Sequence, residues 1–139
     1  MRTTTFALVL GIIFLVVGAA GFIPGLVSPI QSDDHMAVQS GYGNLLGLFP
    51  VNWLHSLVHL LFGVWGVVAY RSLDGARVYA RGVAVIYAVL AVAGLIPGLR
   101  TTFGLIPLFG HDIWLHAVIA AAAAYFGFAG PERAEASRV

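Results

Sequence analysis

The chain has 139 residues, 60% of them hydrophobic and 9% charged, with a mean hydropathy of +0.93. A water-soluble domain carries charge on about a quarter of its residues, so this composition points to the bilayer as solvent. The absence of cysteine excludes a disulfide scaffold, a thiolate metal site and a cysteine nucleophile, and a net charge of +1 with no lysine removes the electrostatic basis for binding nucleic acid.

A helix needs about 20 apolar residues to cross roughly 30 Å of hydrocarbon. Four segments meet that requirement. The first covers about residues 6–23 and stops at Pro24-Gly25, where proline cannot continue the helix. The second covers 51–70, directly after Pro50, and alone carries two histidines. The third covers 78–96 and stops at Pro97-Gly98, with Asp74-Gly75 before it reading as a turn. The fourth covers 112–130, is rich in alanine and closes at Gly130-Pro131, leaving 131–139 as a short polar tail. The predicted fold class is all-α, an integral membrane four-helix bundle over 1–130.

Arginine sets the orientation, because short cytoplasmic loops are enriched in positive charge. Arg2, Arg71, Arg77, Arg81, Arg133 and Arg138 all fall on one side of a four-span arrangement, and only Arg100 falls on the other, which holds Asp33, Asp34 and Asp112. Both termini are therefore expected in the cytoplasm of a multi-pass protein of the cell membrane, with the two longer connections facing outward. Arg77 and Arg81 read as anchors at the membrane edge.

Met1-Arg2 and the apolar run that ends in Gly18-Ala19-Ala20 also resemble a secretory signal. An internal repeat argues against removal: Ala93-Gly94-Leu95-Ile96-Pro97-Gly98-Leu99 matches Ala20-Gly21-Phe22-Ile23-Pro24-Gly25-Leu26 at six of seven positions. Gly104-Leu105-Ile106-Pro107 likewise resembles Gly47-Leu48-Phe49-Pro50, and Trp53-Leu54-His55 recurs as Trp114-Leu115-His116. The chain thus reads as two tandem helical hairpins related by a pseudo-twofold axis along the membrane normal. Trp53 and Trp114 are expected at the outer interface. Small residues are expected to let the helices approach: Gly11 and Gly18, Gly63 and Gly66, the series Ala80, Ala84, Ala88 and Ala91, and the series Ala120, Ala123, Ala124 and Gly127.

All five histidines, His35, His55, His59, His111 and His116, fall on the outward half of this arrangement. His55 and His59 stand four apart and share a helix face with Asn52 above them, and Asp112 and His116 repeat that spacing on the fourth span. By the repeat, His55 and His116 face each other. His59 lies about 12 Å along its helix from Val51, well inside the hydrocarbon, where an ionisable group needs a partner.

Three roles suit this constellation. In the first, Asn52, His55, His59, Asp112 and His116, with Ser56 and loop carbonyls, form a polar cluster that joins the two hairpins and presents a site to a partner. In the second, His55, His59 and His116 bind a metal ion, with Asp112 or His111 as a fourth ligand, or His55 and His116 bind haem. In the third, the histidines sense pH. Conduction across the membrane is disfavoured, because no second acidic residue lies deep in the cytoplasmic half of a span. The Asp33-Asp34-His35-Met36 loop reads as a solvated acidic loop. No serine elbow, carboxylate pair or phosphate loop supplies an enzyme's machinery, so a non-enzymatic protein is expected, with the lipid bilayer as partner and a membrane protein or a second copy as a further one.

Gly21-Phe22-Ile23-Pro24-Gly25, then Asn52-Trp53-Leu54-His55-Ser56-Leu57-Val58-His59 with Gly63 following, then Asp112-Ile113-Trp114-Leu115-His116 occur in this order on the predicted helices. Together they resemble the bacterial family of small four-span membrane proteins known as domain of unknown function 4383, from about Phe6 to Gly130. The resemblance implies a fold and a compartment, and no activity, substrate or cofactor.

Overall fold

The computed structural model describes residues 1–30 and 35–130. It is mostly helical, with α1 (Thr3–Ala20), α2 (Trp53–Ala69), α3 (Leu73–Leu95) and α4 (His111–Phe128). Between α1 and α2 lie a short 3-10 turn over Pro24–Leu26 and three strands, β1 (Val27–Ser28), β2 (Gly43–Leu45) and β3 (Phe49–Val51). The Asp33 and Asp34 of the acidic loop, and the tail with Arg133 and Arg138, lie outside the described residues.

The strands correct the all-α expectation. They form one antiparallel sheet in the order β1-β2-β3, with Val27 opposite Leu45 and Leu45 opposite Phe49. Runs of two or three residues carry no periodic signal, and the pairing arises only because the long first connection folds back on itself. Pro50 is tolerated because β3 is an edge strand.

Local capping explains where α2 and α3 begin. The Asn52 side chain accepts the His55 backbone N–H at 2.8 Å, so α2 starts at Trp53 while Val51 stays in β3. Ser72 accepts the Gly75 N–H at 3.0 Å, and Asp74 sits in the first turn, where the helix dipole favours an acidic side chain. Asp74-Gly75 is therefore the start of α3 rather than a turn, and the helix begins at Leu73 instead of 78.

α1 packs along α2, and α3 along α4. The first pair meets through glycine. A Cβ at Gly66 would stand 2.8 Å from both the Ala7 carbonyl oxygen and the Gly11 Cα, and one at Gly63 would stand 2.8 Å from the Leu15 nitrogen. The second pair meets through Ala80, Ala84, Ala91, Ala120, Ala123 and Gly127, all buried, whereas Ala88 is exposed and lies outside the stripe. Many large aliphatic side chains of the helices face outward, as with Val16, Leu61, Val89 and Val118, while Leu10 and Val83 are buried. The interior also holds small residues, aromatic rings and the polar Thr3, Asn52, His55, Ser56, Asp112 and His116.

The start of α1 and the end of α4 are tied together by a Thr3 hydroxyl that donates to the Phe126 carbonyl and by Phe6 stacked on Phe126 at 4.5 Å. Arg81 serves the same end, donating its Nε–H to the Gly127 carbonyl at 2.8 Å. The connections at the opposite end touch each other, since the Gly104 carbonyl accepts the N–H groups of Ala37 and Val38 at 2.7 and 3.2 Å. One left-handed turn occurs in both connections: Leu46 and Gly47 have φ of 52° and 74°, Phe103 and Gly104 of 58° and 84°.

Candidate metal centre

α2 and α4 bring His55, His59 and His116 into one cluster, in which one ring nitrogen from each lies within 4.8 Å of the others. Ring centroids are 4.5 Å apart for His55 and His59 and 6.2 Å for His55 and His116. His55 and His116 are buried and His59 is half-buried. Neighbouring rings hold them in place, with Phe14 stacked on His59 at 5.5 Å and Tyr87 edge-on to His116 at 5.0 Å.

The cluster is not a closed hydrogen-bond network. His55 Nδ1, His116 Nδ1, Ser56 Oγ and Asp112 Oδ2 are all buried without a hydrogen-bond partner. Each such group costs about 1–3 kcal/mol. Asp112 Oδ2 comes to 3.9 Å from His55 Nδ1, close enough for attraction and too far for a hydrogen bond. Gly21 makes room here, because a Cβ on it would collide with the Ser56 side chain. A Cβ on its counterpart in the repeat, Gly94, would collide with the Leu108 carbonyl oxygen.

Asn52 has a different role from the one its position above the imidazoles suggests. Its amide donates to the Val38 carbonyl at 3.1 Å and to the Leu105 carbonyl at 2.7 Å, while its oxygen caps α2. One fully buried side chain thereby joins the first connection to the second. The sequence holds no signal for these acceptors, since both are backbone groups of distant loops.

Two other histidines stand apart. His111 is exposed at the start of α4, its Nδ1 accepts the Trp114 indole N–H at 3.0 Å, and it stands outside the three-histidine cluster. His35 is exposed in the first connection. Sequence reasoning missed Phe14 and Tyr87, which come from α1 and α3 and were unmarked by any motif.

A family model described as Domain of unknown function (DUF4383) matches residues 4–129, nearly the whole chain. The chain belongs to this family. No curated protein and no solved structure matches it. In this DUF4383 chain, α1 and α3 are long and apolar enough to cross a membrane, and α2 is a shorter apolar helix of 17 residues.

Proposed function

We propose that this protein is an integral membrane four-helix bundle whose His55, His59 and His116 bind one zinc or copper ion. The observation that carries the metal reading is the convergence of three imidazoles, two of which, His55 and His116, bury an Nδ1 that has no hydrogen-bond partner. Zinc holds imidazole nitrogen at about 2.0–2.1 Å, which sets neighbouring ligand atoms roughly 3.3 Å apart in a tetrahedron. Ring rotation closes the difference from 4.8 Å. Asp112 supplies the carboxylate that accepts the free N–H of His55, the usual support for a metal-bound imidazole, and leaves the fourth position open. Haem is the poorer occupant, because the cavities beside the rings measure about 150 and 210 Å³, too small for a porphyrin.

The many exposed aliphatic side chains and the buried polar and small ones support the membrane reading. On this reading all four helices cross the bilayer as two hairpins related by a pseudo-twofold axis, which the twice-used left-handed turn supports. Both termini are cytoplasmic, and the metal site lies toward the outer leaflet. The protein binds rather than catalyses, and a membrane partner or second copy meets its outward face.

Metal content of the detergent-purified protein tests the centre. The expected result is about one zinc or copper per chain, lost in His59→Ala with the melting temperature of the metal-free forms unchanged. A wild-type protein that neither retains nor takes up either metal overturns it.

A further inference from the structure

A cavity of about 150 Å³ opens against the cluster, walled on one side by His55, His59 and His116 and elsewhere by apolar side chains that include Ile86, Leu90, Ile106 and Leu108. An apolar cavity of about this size accepts xenon or benzene. Thr102 and Tyr87 also line it, and because the Thr102 hydroxyl donates to the Ile106 carbonyl, the polar groups left to meet an occupant are the imidazoles and the Tyr87 hydroxyl. We infer that this cavity seats a small, uncharged, largely apolar molecule, whose one donor atom takes an open coordination position on the metal.

The inference rests on the metal reading for its donor contact and on the cavity alone for its shape selection. A charged occupant would be stripped of water between apolar walls, a desolvation cost that the neutral one escapes. Asp112 lines a separate cavity on the α1 side, so its carboxylate approaches the cluster from the opposite flank and leaves this position free.

Two probes separate the inference from the metal reading. Xenon is added to metal-free protein with labelled Ile and Leu methyl groups, and methyl isocyanide or azide to cobalt-loaded protein. Expected are saturable xenon shifts at Ile106, Leu90 and Leu108, and a cobalt spectrum that responds to isocyanide at lower concentration than to azide. Ile106→Trp and, independently, Leu90→Phe abolish the xenon shifts and weaken isocyanide binding about tenfold or more, while cobalt still loads. Unsaturable xenon shifts, or shifts unchanged in both filled variants, overturn the cavity as a seat. A cobalt site that prefers azide overturns the uncharged ligand while the metal centre stands. Failure of any metal to load, with xenon still saturating, overturns the metal reading and the coordination contact but not the apolar seat.

Discussion

The rings of His55 and His116 meet at 6.2 Å although 61 residues separate them in the chain. They sit on the second helix of each hairpin, so their contact exists only when α2 and α4 are both in place. Any ion held between them therefore clamps the two hairpins, and metal binding stabilises the folded protein by linkage.

Asp112→Asn is expected to weaken metal affinity by about 10- to 100-fold, the usual cost of losing a supporting carboxylate. Stoichiometry at saturating metal stays the same if Asp112 supports His55. Competition with a chelator measures the change. A shift under about threefold would detach Asp112 from the centre.

Asn52→Ala removes a helix cap, worth about 0.5–2 kcal/mol, and two hydrogen bonds to part-buried loop carbonyls, worth about 0.5–1.5 kcal/mol each. A large drop in thermal stability is expected, read by melting in detergent. Asn52→Ser keeps an acceptor for the His55 N–H but cannot reach Val38 and Leu105, so it recovers only the capping part. Full recovery by serine would show that the loop bonds contribute nothing.

Gly66→Ala presses a methyl group into the Ala7 carbonyl and the Gly11 Cα of α1, and overpacking of this kind costs about 1–3 kcal/mol. Gly25→Ala is the control, because a Cβ there meets nothing within 4 Å. The pair is compared by melting temperature. Equal values would mean that α1 and α2 are free to separate.

The native chain contains no cysteine, so single thiols report sidedness cleanly. Phe103→Cys lies in the second connection and Asp74→Cys at the start of α3, both at exposed positions. A membrane-impermeant maleimide applied to intact cells is expected to label the first and spare the second. The reverse pattern inverts the proposed orientation, and labelling of both ends the four-span reading.

Much of this was legible without coordinates. Proline and glycine stops marked the ends of the apolar segments, and the spacing of His55 to His59 fixed a shared helix face because an α-helix repeats every 3.6 residues. The copied Trp-Leu-His block put His55 and His116 on matching helices. The glycines at 11, 18, 63 and 66 were recognisable as approach points because a missing Cβ lets two helix backbones come close.

Sequence by itself therefore determined the helices, their apolar character and the three histidines, since each depends on composition or on spacing within one helix. Tertiary structure alone decided the three-stranded sheet, the double hydrogen bond from Asn52 to two loops, the placing of His111 outside the cluster and the convergence of the imidazoles beside an apolar cavity. Those features join backbone groups and side chains far apart in the chain. Distances between separate helices are set by packing, which no local pattern encodes.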